Sequence, residues 1–314
     1  MRKPKIIVHN PCNEKTRYFR NYNFFWDSFT HYLKQHFEVE ENRYFDGADR
    51  ERWQVQLKNS ISNNFLLLEC EYVIENADTG EFHVISVSDD FSHATLNEKE
   101  NPFCKSILFS QFNPSKVKSH TGEFFSKYKP WIYFQSLFDD LDMFYHKRQY
   151  IKEKSNTLFF KGTSIQDRSF LSHLDKNYVT DFTPTNPNDY FNQLIAHKLA
   201  ISIDGRGEFC YRDIECFAIG VPTLRFEYAS KFYDELIPNY HYISIPRPLD
   251  MGLYRLGNEN HAKMLEERYY EVINDDEFLG FISNNARKYY EKNCEINNAI
   301  SNTFNLLNLK NWLI

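Results

Sequence analysis

The chain has no apolar run near the roughly 20 residues that a membrane-spanning helix needs. Its opening, MRKPKIIVHNPCNE, offers only Ile6, Ile7 and Val8 as an apolar stretch, too short for a secretory signal. There is no Asn-x-Ser/Thr sequon outside Asn-Pro. The cysteines Cys12, Cys70, Cys104, Cys210, Cys216 and Cys294 show no paired spacing, and the histidines show no His-x-x-x-His. These absences argue against a disulfide framework and a structural zinc site, and for free thiols in a reducing, cytoplasmic compartment. No basic stripe is present, and 37 Lys and Arg against 43 Asp and Glu give a net charge of −6, so nucleic-acid binding is not expected. Glycine is scarce, and there is no internal repeat or low-complexity tract. What is present is a 42% hydrophobic, 17% aromatic chain of 314 residues, which describes a folded globular protein long enough for two domains.

Hydrophobic periodicity divides the chain near residues 150–155. The first part opens with the strand KIIVH. In NFFWDSFTHYLKQHF a helical stripe follows, formed by Phe25, Phe29, Tyr32, Leu33 and Phe37. EVEENRYF, LLLECEYVIEN, FHVISVSDD and SILFSQF read as extended segments, two of them around a Gly turn at ADTGE. The segment PWIYFQSLFDDLDMFYHKRQYIKEK turns helical. A second series then alternates strand and helix: TLFFKG, SIQDRSFLSHL, YVTDF, NPNDYFNQLIAHK, LAISIDG, EFCYRDIECFAIG and VPTLRF. That alternation predicts βαβ units and a parallel sheet. One or two amphipathic helices are expected from Asp275 onward. The expected fold class is therefore α/β, with an N-terminal domain over 1–150, a second Rossmann-like domain over 151–314, and a last helix free to pack back on the first.

The stretch Lys198–Phe226 carries the sharpest chemical signal. An apolar run ends at Asp204-Gly205, a turn follows, and a helix opens with Arg212 in its first turns. Ligands of open α/β sheets bind outside the carboxyl ends of strands. A helix N-terminus there presents free N–H groups and positive potential to an anion. Arg212 adds a fork of donors that can hold two oxygens at once. Glu215, three residues on, shares its face and could take a ribose hydroxyl or hold Arg212. The competing reading is a plain ion pair of Arg212 with Glu215 or Asp213. Asp139–Asp142, spelled DDLD, contains the Asp-x-Asp of metal-dependent transferases, but it falls in a helical pattern and reads as a solvated face. WIYF and RYFRNYNFFW read first as core aromatics.

Four stretches in order resemble glycosyltransferase family 90, the protein O-glucosyltransferase and capsule-associated family. LFFKGTSIQDRSFLSHL resembles its Phe-[Arg/Lys]-Gly-[Ser/Thr]…Arg motif. HKLAISIDG resembles a strand ending in Ile-Asp-Gly. RDIECFAIGVPTLRFEYASKFYDELIPNYHYISIP resembles the segment that begins at a phosphate-contacting arginine. FHVISVSDDFS resembles the strand ending in the catalytic aspartate. Exostosin-like transferases share a similar second half. The resemblance covers about residues 82–246 and implies a GT-B fold, two Rossmann-like domains with a cleft between them. It implies inverting, metal-independent transfer of a sugar from a nucleotide sugar, UDP-linked, to a hydroxyl of a glycan or protein. Asp89 falls at the base position with Asp90 beside it. Gly162, Thr163, Ser164 and Arg168 fall at one half of the donor site, and Asp204, Gly205, Arg212 and Glu215 at the other.

On their own chemistry, two adjacent carboxylates suit a base whose pKa is raised by its neighbour, or a helix cap before FSHATL. KGTS suits a phosphate cradle or a cap, and Arg168 a phosphate clamp or a solvated helix residue. Phe209 and Tyr211 stand beside Arg212 as candidates for base or sugar contact. SDDF stands where the family has Asp-Trp-Pro, which leaves open which aspartate is the base. It also keeps alive a non-catalytic glycan- or nucleotide-binding module.

Overall fold

The computed structural model describes residues 3–11, 20–43, 54–57, 65–68, 71–87, 100–110, 112–131, 141–161, 166–174, 179–181, 186–204, 208–248 and 258–313. The chain forms two compact units. One comprises Met1–Leu137, Ser230–Asp234 and Glu295–Ile314; the other comprises Phe138–Ala229 and Glu235–Cys294.

The first unit begins with β1 (Lys5–Asn10), α1 (Arg20–His36), β2 (Glu38–Arg43), β3 (Gln54–Leu57), β4 (Phe65–Leu68), β5 (Glu71–Asn76), β6 (Phe82–Ser86), β7 (Cys104–Phe109), α2 (Pro114–Thr121) and β8 (Tyr128–Pro130). Six strands form a mixed sheet in the order β2-β1-β5-β6-β7-β8, and β3 and β4 pair separately. β5 runs antiparallel to both its neighbours, β1 and β6. The stripe of α1 is the one the sequence predicts. Phe25, Phe29, Leu33 and Phe37 are buried against Ile6, Val8, Tyr72, Ile74 and Ile85. Trp26 stacks on Tyr72 with centroids 4.7 Å apart, and the Tyr72 hydroxyl meets Thr30 Oγ1 at 2.6 Å. The helix α2 falls outside the segments that the sequence reads as helical, although its start signals are present. Asn113 accepts from Lys116 N at 3.2 Å, and Pro114 occupies the first turn, where its missing N–H costs nothing.

The second unit contains α3 (Leu141–Gln149), β9 (Ser155–Lys161), a 3-10 helix (Gln166–His173), β10 (Val179–Asp181), α4 (Pro187–Ile195), β11 (His197–Ile201), α5 (Tyr211–Ile219), β12 (Thr223–Phe226), β13 (Ile243–Ile245), α6 (Glu259–Val272) and α7 (Asp276–Asn293). All its strand pairings are parallel, in the order β10-β9-β11-β12-β13. Two ends of this layer are tied by Arg148 of α3. Its guanidinium donates to Gly220 O at 3.1 Å, Ile195 O at 2.8 Å and His197 O at 2.7 Å, satisfying carbonyls at the ends of α4 and α5 and at the start of β11. Burial pulls this arginine down to about 10.

The last helix, α8 (Ile296–Leu306), belongs to the first unit. Ala299, Ile300, Phe304 and Leu307 join the core built by β1 and α1. Trp131 Nε1 donates to Thr303 Oγ1 at 2.9 Å. The architecture is α/β with two Rossmann-like units and C-terminal helices.

Candidate ligand site at the carboxyl edge of the parallel sheet

Renumbered from β9, the second sheet runs 2-1-3-4-5. After β9 the chain steps to one side to form β10, then crosses back to form β11 on the other. β9 and β11 are therefore neighbours at a topological switch point, where an open α/β sheet leaves a crevice outside its carboxyl ends. The ends of β9 and β11 and the start of α5 converge on it.

The start of α5 is a built helix N-terminus. Cys210 N donates to Asp213 Oδ2 at 2.8 Å, which closes the first turn. The helix ends at Gly220, whose left-handed φ of 72° suits glycine. Arg212, in the first turn, reaches back over the end of β9. Its guanidinium lies 4.4 Å from the Phe160 ring centroid, and Nη2 donates to Lys161 O. Arg212 is 8% exposed, yet its Nε and Nη1 have no hydrogen-bond partner among the described residues. Two buried donors of a charged group, unmet among the described residues, are expensive, and an anion at the crevice would satisfy them.

The ion-pair reading of Arg212 is not what the structure adopts. Asp213 gives its other oxygen to Arg225 Nη1 at 2.6 Å, and Glu215 accepts from the Tyr190 hydroxyl at 3.0 Å. Burial and Glu215 hold the Tyr190 hydroxyl well above its ordinary value, with Arg212 beside it pulling the other way, and Arg212 Nε and Nη1 make no hydrogen bond of ordinary geometry to it. Burial alone would draw the Arg212 guanidinium down, but Tyr190, Cys210 and Glu215 hold it above its ordinary value. Burial raises Glu215, against the opposing pull of Arg212 and the Tyr190 hydrogen bond.

Asp204, expected at the ligand, is already engaged on both oxygens. Oδ1 accepts from Arg225 Nη2 at 3.0 Å, and Oδ2 accepts from Arg247 Nη2 at 2.7 Å. Arg225 was not picked out from the sequence. It lies on β12 between Leu224 and Phe226, which face the α6 side of the sheet, so it points to the opposite face. There it is fully buried and fully satisfied. It donates to Phe226 O at 3.1 Å, Asp213, Asp204, Glu208 O at 2.8 Å and the Tyr228 hydroxyl at 2.7 Å. It also lies 3.5 Å from the Tyr228 ring centroid. The available signal was an arginine inside an otherwise apolar strand, with Asp204, Glu208 and Asp213 just upstream. Arg247 donates as well to Glu227 O at 2.6 Å. Phe209 is buried against Phe217 and Tyr228, as a core residue would be.

Gly162, Thr163, Ser164, Gly205, Asp89 and Asp90 lie outside the described residues, as does the side chain of Arg168, whose backbone is in the 3-10 helix after β9. From DDLD, Asp142 lies exposed in the first turn of α3 and pairs with Arg287 Nη2 at 2.7 Å. Asp139 and Asp140 lie outside the described residues.

No protein-family model matches the chain, and no curated protein matches it. Solved structures do. One is WaaG, a glycosyltransferase involved in lipopolysaccharide biosynthesis, with 12% identity, 62% of each chain covered and a TM-score of 0.38. The chain thus spans about three fifths of WaaG. Another is a glycosyltransferase from Rickettsia africae ESF-5, with 12% identity, 98% of this chain and 76% of that chain covered, and a TM-score of 0.45. At these levels the chemistry has to be argued from the residues themselves. Among the described residues no helix is long and apolar enough to cross a membrane.

Proposed function

We propose that the chain is a GT-B glycosyltransferase that moves a sugar from a nucleotide sugar, UDP-linked, to a hydroxyl of a glycan or protein, with inversion and without a metal. The observation that carries the reading is Arg212. It is a buried guanidinium at a helix N-terminus, at the switch point of a parallel sheet, with two donors that have no partner among the described residues. A diphosphate matches that arrangement in charge, in acceptor count and in its preference for a helix start. In such a transfer the bond from the anomeric carbon to the diphosphate oxygen breaks as the acceptor oxygen attacks from the opposite side. The acceptor proton passes to a carboxylate. Negative charge grows on the leaving diphosphate, and a pre-positioned guanidinium and free backbone N–H groups stabilise it. Arg212 and the start of α5 take that role. Asp89 takes the role of the base, with Asp90 beside it, on the resemblance of the SDDFS stretch.

The test is thermal shift of the purified protein with UDP, GDP, CMP and ADP, with and without manganese, for wild type and Arg212→Ala. A ligand that binds the folded state alone raises the melting temperature by mass action. Stabilisation by UDP without metal, lost in Arg212→Ala, is the expected result, followed by sugar transfer that Asp89→Asn abolishes. Wild-type protein that is folded but shifts with none of the four nucleotides refutes the reading.

A further inference from the structure

We propose that Arg247 is a positioning residue of this ligand site: by pairing with Asp204 it keeps a carboxylate at the end of β11 from opposing an anion held by Arg212. The proposal rests on the donor-site reading above.

An anion site whose strand ends in an aspartate carries an internal conflict. Asp204 ends the apolar run of β11 and retains 20% side-chain exposure, so its charge is neither buried away nor fully screened by water. Asp213, in the first turn of α5, is completely buried. Both are negative groups within the elements that frame the crevice. The fold places two arginines against them. Arg225 takes one oxygen of each, at 3.0 Å and 2.6 Å, and Arg247 takes the remaining Asp204 oxygen at 2.7 Å. Two guanidinium charges thus face two carboxylates, and Arg212 is left as a positive group that neither of them pairs.

The two arginines differ in what their removal would do. Arg225 is wholly buried and joins five acceptors, so its loss disturbs the fold. Arg247 is 14% exposed in its side chain, holds Asp204 from the segment after β13, and braces itself on Glu227 O at 2.6 Å. Removing its charge leaves Arg225 and Asp213 paired and α5 capped, but it releases one Asp204 oxygen with its share of negative charge. One uncompensated unit charge about 12 Å from a bound phosphate, at an effective dielectric of about 20, weakens binding by about tenfold.

The experiment is calorimetric titration of UDP, and separately of inorganic pyrophosphate, into wild type, Arg247→Gln, Asp204→Asn and the double variant, with melting temperatures recorded for each. The expected result is that Arg247→Gln binds both probes about tenfold more weakly, and that adding Asp204→Asn restores affinity to within about threefold of wild type. A merely structural role for Arg247 would lower the melting temperature in step with the affinity across the variants, whereas the positioning role lowers affinity in Arg247→Gln at a nearly unchanged melting temperature. If Arg247→Gln binds as tightly as wild type, or if the double variant remains as weak as the single, the proposal is overturned while the donor site stands. Wild-type protein that is folded and binds neither probe removes the donor-site reading, and this proposal with it.

Discussion

Replacing Arg225 with Met keeps roughly the length and apolar stem of the side chain and removes all its donors. The substitution strands several acceptors at once. Asp213 Oδ1 loses a 2.6 Å partner in a fully buried position. Asp204 loses one of its two arginines, and Glu208 O and the Tyr228 hydroxyl each lose a donor. Breaking one side of a buried charge pair costs about 3–5 kcal/mol, because the remaining charge is left without compensation. Asp213 keeps its hydrogen bond from Cys210 N, which holds the cost toward the lower end. In a unit of roughly 150 residues this lowers the midpoint of thermal unfolding by about 10 °C. Urea unfolding followed by circular dichroism gives the free-energy difference directly. The Arg225→Met/Asp213→Asn double variant is expected to lose about 1–3 kcal/mol less than the two single losses combined, since the carboxylate that Arg225 neutralises is then gone. An Arg225→Met protein within 1 kcal/mol of wild type, or strictly additive losses, would show that the five contacts do not act as an electrostatic unit.

Gly220→Ala forces a side chain onto a φ of 72° and places its Cβ 3.1 Å from Ser283 Oγ and 3.2 Å from the Tyr145 ring, so a loss of about 1–2 kcal/mol is expected by the same urea titration. His83, buried beside Ser106 Oγ at 2.7 Å, is pushed down to about 3, chiefly by burial and further by Lys129 and Lys105. The unfolded chain therefore takes up a proton that the folded one refuses between about pH 6.5 and 3. The stability His83 contributes is complete above 6.5 and falls as pH drops, by about 2 kcal/mol between pH 7 and 5. Urea titrations at both pH values measure that slope, and a His83→Asn protein with an unchanged slope would contradict the assignment.

Much of the fold was legible because period and punctuation agree. The 3.6-residue stripe of α1, the Gly-containing turn before β6, the strands β9 to β12 and the helices α4 and α5 all appear where residue spacing puts them. The helix α6 escaped notice although Ala262, Leu265, Tyr269 and Val272 form a stripe, because no expected strand stood next to it to frame the pattern. The segment before β10, expected as a helix, is a 3-10 helix with Phe170 and Leu171 adjacent and both buried, a pairing that a single helical stripe does not anticipate. At the site, Arg212 could be singled out because its position after a strand end and at a helix start has a local signature. The engagement of Asp204 was invisible for the opposite reason. Its partners, Arg225 and Arg247, lie 21 and 43 residues away and meet it through strand order alone.

The return of α8 to the first unit has a consequence for biosynthesis. When the ribosome has made residues 1–137, the apolar side of β1 and α1 still lacks Ala299, Ile300, Phe304 and Leu307, and Trp131 lacks its Thr303 partner. Those residues emerge only after every segment of the second unit has been translated. The second unit, made between them, can therefore close around its own sheet first, while the first waits with an open apolar flank for α8. In the nascent chain the second unit has all its segments before the first does, and emergence of α8 is the event that seals the first.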